Sequence, residues 1–251
     1  EALMSYKGFR AYQPTNVWVA EHRMMLYSEF RDGNVPAGSG NLRVLKDALD
    51  LLPEGVKKVR FRSDTAAYEV DLLEYMAEGD DPRFGVIEFA VGADVTPPLR
   101  DEVSQVAKTD WRPLRRWNPE TRHFEETGQE WAEVAYVPNW VAHSKSNPDY
   151  RFVVVRELMR QQLLPGTADQ LTFDCPTMEF GSKGLYKLQA IITNRALPGD
   201  QVIWWYRERC GRSEEAHSIL KEDLAGGRLP SKHFGVNAAW WMFAVLAMNL
   251  D

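Results

Sequence analysis

Lys58-Val59-Arg60-Phe61-Arg62-Ser63-Asp64-Thr65 is the stretch on which the reading of the fold turns. Lys58 to Arg62 forms a short strand with Val59 and Phe61 on one side. Ser63-Asp64-Thr65 then caps a helix expected over about 66–78. Phe84 to Ala90 (FGVIEFA) supplies the next strand. Upstream, Val17 to His22 and Met24 to Phe30 are two strands joined by a tight turn. Arg31-Asp32-Gly33-Asn34 closes that hairpin, and a helix follows from Gly38 with Leu42, Leu45, Leu49 and Leu52 at helical spacing until Pro53 and Gly55 end it. Strand, strand, helix, strand, helix, strand is the order of a mixed α/β sheet.

Past Val91 the texture changes. Pro97, Pro98, Trp111, Pro113, Trp117, Pro119, Trp131, Pro138 and Trp140 crowd a region of short β runs such as Glu133 to Val137 and Arg151 to Val155. No long helical period interrupts it, so it reads as a β-rich insertion. Tyr186 to Thr193 (YKLQAIIT) is a strong strand. Gln201 to Leu224 reads as one helix and Asn237 to Asn249 as a second, mostly buried one, with Gly226-Gly227 between them. The resulting division is 1–90 and 186–251 for the two parts of one core, with 91–185 inserted.

The 251 residues carry 30 Lys+Arg and 36 Asp+Glu, a net charge of −6, which excludes a basic nucleic-acid coat protein. The average conceals an asymmetry. Between Asp64 and Glu102 eleven acidic residues face two arginines, so that block holds −9 and the remainder is +3. Nine Trp, nine Tyr and eleven Phe exclude a disordered chain. Two cysteines make neither a disulfide framework nor a zinc cluster and point to a reducing cytoplasm. No secretory signal is read at residue 1, and the apolar run from Ala238 to Leu250 carries Asn249 and is too short to span a bilayer.

Two groups of residues suit chemistry. Asp64, at the C-terminal edge of a strand and beside a helix N-terminus, is placed either to bind a divalent cation or simply to cap the helix. In the late helix, Glu214 and Lys221 lie seven positions apart, two turns, so both project from one face. An acid that holds a cation and a lysine that grips a phosphate oxygen would serve a metal-bound phosphodiester; a solvated charged face has the same spacing. The five histidines show no metal-ligand spacing. Trp111, Arg112, Arg115, Arg116 and Trp117 would either stack on distorted DNA or build a small β core.

Taken together, these residues resemble the bacterial insertion-sequence transposases of the DDE superfamily, with their tyrosine–arginine–glutamate–lysine signature. The resemblance runs through Tyr6-Lys7-Gly8-Phe9-Arg10, Phe30-Arg31-Asp32-Gly33-Asn34, Arg62-Ser63-Asp64, Ile191-Ile192-Thr193-Asn194, Glu214 with Lys221, and Phe234-Gly235-Val236-Asn237-Ala238-Ala239. It implies a ribonuclease H-like fold with a β-strand domain inserted before the catalytic glutamate. It makes Asp64 and Glu214 the second and third acids of the catalytic triad and ligands of two Mg²⁺ or Mn²⁺ ions. Lys221, Tyr206, Arg209 and Arg62 become DNA contacts. Four residues separate Arg209 from Glu214 where the signature has three; counted back from Glu214 without a gap, Cys210 occupies the Arg place.

The first acid belongs on a strand ahead of the Val17–Phe30 hairpin, and no Asp precedes Asp32. It is therefore expected before residue 1, as is the DNA-recognition region, because no helix-turn-helix pattern occurs. The expected activity is cleavage and strand transfer at the terminal inverted repeats of double-stranded DNA. The expected partner is a second copy on synapsed DNA ends, and the expected location is the bacterial cytoplasm, at the nucleoid when bound to DNA, with no membrane association. The alternative is a remnant that binds DNA without catalysis. A tryptophan-rich carbohydrate binder explains neither Arg62-Ser63-Asp64 nor the Glu214/Lys221 pair.

Overall fold

In a computed structural model, the described residues are 2–5, 8–143, 148–159, 175–180, 184–224 and 226–250; for 142–143 and 211–214 the description covers the backbone alone. Residues 6–7, at the start of the first stretch of the resemblance, lie outside it. The chain divides into two compact units, Glu1–Val59 with Arg207–Asp251, and Arg60–Tyr206.

The first unit holds β1 (Leu3–Met4) against β2 (Arg10–Ala11), and the hairpin of β3 (Thr15–Val19) with β4 (Met24–Glu29). A bulge between Val17 and Trp18 breaks the hairpin register, and Arg23 takes a left-handed conformation in its turn. Helix α1 (Asn41–Asp50) buries Val44, Leu45, Ala48 and Leu49, and Arg43 on its outer side pairs with Glu29 and with Asp47. Helix α5 (Arg209–Ser218) runs into a π turn (Ile219–Asp223), and α6 (Phe234–Leu250) closes the unit. Met25, Ala216, Leu220, Trp241, Ala244, Val245 and Met248 form the core there, with Trp18 and Phe30 packed on it. Asn249, which interrupts the last apolar run, accepts from the Met25 amide and donates to the Met25 carbonyl, both at 2.8 Å. It thereby satisfies both backbone groups of a residue within the hairpin.

The second unit is a mixed α/β structure, the class expected from the sequence. Its seven-stranded sheet runs β5 (Arg60–Ser63), β6 (Glu88–Ala93), β11 (Leu185–Thr193), β9 (Arg151–Leu158), β8 (His123–Val134), β7 (Arg112–Asn118), with β10 (Thr177–Glu179) also on β11. β5 and β6 are parallel and every other pairing is antiparallel. The strands between 91 and 185 therefore continue the sheet that β5 and β6 begin, and the compact units divide at 59/60 and 206/207 instead of at 90/91 and 185/186. Helix α4 (Gly199–Arg207) lies over one face through Val202, Ile203 and Tyr206, packed on Ala90, Leu114, Trp131, Val153, Val155 and Ile191. Helix α2 (Val70–Glu78) buries Leu72, Leu73 and Met76 beside β6, whose Phe89 alternates with Ala90 to the opposite face.

Several elements depart from the sequence reading. The helix expected over 66–78 is a single 3₁₀ turn at Thr65–Ala67 followed by α2, because Glu69 is extended. The strand expected from Phe84 begins only at Glu88, since Gly85 bends back to bridge Asp81. Helix α3 (Pro97–Gln105) lies where no helix was expected; its paired prolines fill the first helical positions, where an amide proton has no partner to lose. The continuous helix over 201–224 is instead α4, α5 and the π turn. Helix α6 is buried along Asn237, Trp241, Ala244, Val245 and Met248 but exposes Val236, Trp240, Phe243 and Leu246. Among the described residues no helix is long and apolar enough to cross a membrane.

Asp81 ties α2 to the turn that precedes β6. Its carboxylate accepts from the amides of Arg83 (2.9 Å) and Phe84 (2.8 Å) and from the Tyr75 hydroxyl (2.8 Å). Burial works to raise its pKa, but these donors and the Arg83 charge outweigh it and hold the carboxyl below its ordinary value. A depressed carboxyl stabilises the fold above the unfolded-state pKa, and that contribution is lost as the pH falls through the folded-state value. Asp81→Ala should lower the unfolding free energy by about 2 kcal/mol at neutral pH, with the deficit shrinking in acid; denaturant titration at pH 7 and pH 3 measures both.

Candidate functional site

The features that could act on a phosphodiester begin at the end of β5. Asp64 follows the strand in extended conformation, exposed to solvent, and its Oδ1 caps the 3₁₀ turn by accepting from the Ala66 amide at 3.1 Å. Capping and cation binding are compatible, since a carboxylate has two oxygens and about four lone-pair sites. Because β5 and β6 are parallel with Ser63 opposite Val91, Asp64 leaves the sheet level with Gly92. Asp94 leaves β6 two residues further along, also exposed. Two carboxylates thus follow the C-terminal ends of neighbouring parallel strands, the edge at which open α/β sheets bind ligands. Asp94 was not picked out from the sequence, although Val91-Gly92-Ala93-Asp94 repeats the strand-then-acid pattern of Phe61-Arg62-Ser63-Asp64. Burial pushes the Tyr68 hydroxyl up to about 12, with Tyr136 and then Asp94 adding to the shift, so Tyr68 stays protonated near Asp94.

Gly92 sets the geometry. A Cβ there would lie 2.8 Å from the Tyr206 hydroxyl and 3.0 Å from the Thr65 amide nitrogen. The missing side chain is what lets the turn after Asp64 and the ring of α4 close over the same point of β6. Tyr206 is 3% exposed and belongs to the core beneath α4, so it holds this edge together and has no surface to offer DNA. Arg62, half-buried, donates Nη1 to the Trp205 carbonyl at 2.6 Å and lies over the Trp205 ring at 5.3 Å. Arg62, Asp64 and Tyr206 are thus brought to one end of the second unit.

Glu214, Lys221 and Arg209 belong to the first unit. Glu214 lies in α5, and its side chain is outside the described residues. Lys221 is exposed in the π turn. The two-turn alignment of Glu214 with Lys221 assumes continuous α geometry; the wider π turn carries more residues per revolution and rotates Lys221 backward around the axis. Arg209 is partly buried at the start of α5, its Nη2 3.9 Å from Cys210 Sγ. Among the described residues no three His, Cys, Asp or Glu side chains are grouped to hold a metal ion.

The tryptophan-rich strands divide by burial. Trp111 is a core residue stacked 3.9 Å from the Arg156 guanidinium, which Phe180 and Tyr186 also face and which pairs with Glu130 at 2.8 Å. Trp117 and Phe124 form an exposed edge-on pair at 5.1 Å. Arg115 meets Glu126 at 3.5 Å and Arg116 stands opposite Glu125, so this hairpin does not present an unopposed basic strip.

No protein-family model matches the chain, and no curated protein is similar to it. Among solved structures, it is similar to piggyBac transposase in a cryo-EM synaptic complex with hairpin DNA, at 8% identity and a TM-score of 0.48. The likeness covers 95% of this chain but 45% of that one, so the chain spans less than half of that transposase's length. A likeness of that size fixes neither family nor activity.

The contact at Gly92 gives a direct test. Gly92→Ala should destabilise the second unit by about 1–3 kcal/mol, and Tyr206→Phe in the same chain should recover part of the loss by removing the crowding hydroxyl. A double-mutant cycle of denaturant unfolding reads the coupling; strictly additive effects would show that Gly92 does not seat Tyr206.

Proposed function

We propose that this chain is the catalytic core of a DDE transposase of the bacterial insertion-sequence kind, with a ribonuclease H-like sheet, cutting and joining DNA at terminal inverted repeats. The observation that carries the proposal is the exposed Asp64 carboxylate at the C-terminal end of β5, parallel to β6 and beside Arg62. The order of the resembling stretches along the chain supports it, as does the mixed sheet with helices beside it.

In this reading Asp64 and Glu214 are cation ligands, for which hard carboxylate oxygens suit Mg²⁺ or Mn²⁺. When bound, two such ions supply activation of the attacking hydroxyl and stabilisation of the leaving oxygen. The chain's own residues bind and orient. Lys221 meets a backbone phosphate as an exposed point charge, and Arg62 and Arg209 contribute planar guanidinium donors. Tyr206 acts as a positioning residue for the Asp64 turn. A second copy of the chain holds the other DNA end.

Cleavage of a labelled terminal-repeat duplex in Mg²⁺ or Mn²⁺, by this chain and by one extended upstream to the expected first acid, tests the assignment. Asp64→Asn and Glu214→Gln should each reduce cleavage to the buffer background while DNA affinity is retained. Wild-type rates in either variant would remove that residue from the chemistry, and DNA binding without cleavage in every version would identify a non-catalytic remnant. Lys221→Ala should weaken duplex binding and lower the slope of log affinity against log salt by about 0.9, the value for one phosphate contact.

A further inference from the structure

On the face of β5 shared by Arg60 and Arg62, both within the second unit, two arginines, Arg62 and Arg195, face one indole, and Arg60 shares a carboxylate with Arg195. The Arg195 guanidinium lies 4.2 Å from the Trp205 ring centre and that of Arg62 lies 5.3 Å from it. Arg60 Nε meets Glu88 Oε2 at 3.0 Å, and Arg195 Nε approaches the same oxygen at 3.4 Å. One carboxylate oxygen therefore serves two guanidiniums. Arg195 is 8% exposed; its Nη1 is closed off from solvent without a hydrogen-bond acceptor among the described residues, and its Nε has only the long contact to Glu88. Burial lowers its pKa, Glu88 opposes that, and Arg60 and Arg62 press in the same direction as burial. Charge on an edge strand discourages edge-to-edge pairing, for which the half-exposed Arg60 would suffice. Edge protection gives no reason to bury a second arginine behind it. A phosphate bridging the cluster adds negative charge beside Arg60 and Arg195, which share one Glu88 oxygen, and guanidiniums match phosphate oxygens in geometry.

We propose that Arg60, Arg62 and Arg195, framed by Trp205, form a phosphate-binding subsite that holds a DNA backbone phosphate next to Asp64. The ownership of that phosphate by DNA rests on the strand-transfer reading; the anion chemistry does not. Arg60, half-exposed, supplies the accessible donors, Arg62 is held against the Trp205 carbonyl and ring, and Arg195 adds buried charge.

The binding test uses the full chain in EDTA, so that no binding outcome depends on metal or cleavage. Duplex DNA binding is followed by anisotropy across a salt series, and inorganic phosphate is titrated separately by calorimetry. Arg60→Gln should weaken duplex binding by about tenfold, or 1.4 kcal/mol, and lower the salt slope by about 0.9; Lys108→Gln, an exposed charge elsewhere in the same unit, should change neither. Arg195→Met should act in the same direction, with a thermal melt confirming that it folds. Loss of duplex affinity supports the subsite with DNA as owner. Loss of inorganic phosphate binding with duplex affinity unchanged supports it with a free phosphate as owner. Wild-type behaviour of Arg60→Gln in both arms overturns the proposal, even if Asp64→Asn abolishes cleavage. In the separate metal-dependent assay, absence of cleavage by the chain extended upstream to its expected first acid, alongside an Arg60-dependent duplex affinity, sinks the catalytic reading and leaves the subsite standing.

Discussion

What the second unit presents at the end of β5 depends on a side chain that is absent. Gly92 sits in the middle of the parallel-to-antiparallel junction, with β5 on one side and β11 on the other. Over it close the Thr65 amide and the Tyr206 hydroxyl, which leaves no room for even a methyl group. The turn that carries Asp64 is thereby seated on the sheet, and α4 is held down where Trp205 can meet both Arg62 and Arg195. Close packing transmits this constraint, because a dense interior has no slack to absorb a displaced ring.

A second economy recurs in both units. Asn194 accepts from the Phe89 amide at 2.8 Å and donates to the Ile87 carbonyl at 3.0 Å, while Thr193 Oγ1 donates to the Phe89 carbonyl at 2.5 Å. Asn237, 1% exposed, accepts from the Ser231 amide and donates to the Ser231 carbonyl, and Asn249 treats Met25 in the same way. A carboxamide offers a donor and an acceptor at fixed separation, so one side chain can substitute for a neighbouring strand. Asn194 and Asn237 have a visible role here that is structural. Arg31 belongs with them: buried, it donates to the carbonyls of Gln13 and Ser39 and ties its turn to the preceding segment.

Strands with β-branched or aromatic runs were legible, as at Thr15–Val19, Arg151–Leu158 and Leu185–Thr193, because alternation and bulk report directly on a pleated surface. Helix α3 was not, since its prolines read as loop when their place in the first turn is unknown. The break of the long helix after Arg207 was equally hidden, for no glycine or proline marks it there. That all the strands from 112 to 193 belong with β5 and β6 is a matter of long-range pairing, which local composition does not encode. Asp64 and Arg62 were visible because they end a short strand. The arginine pair at Glu88 was invisible, because Arg60 and Arg195 come together only through the order of β5, β6 and β11.

The π turn at Ile219–Asp223 bears on how such a chain is to be aligned. A helix that widens to i→i+5 bonding for one turn has absorbed a supernumerary residue without breaking its cylinder. Residue counting across that point then misreports angular position, and so does any motif defined by a fixed interval that straddles it. The extra residue between Arg209 and Glu214 is a discrepancy of the same size on the other side of Glu214. Helices of this kind are better compared outward from their anchored ends, Leu220 in the core of the first unit and Tyr206 in the core of the second, than by intervals read along the chain.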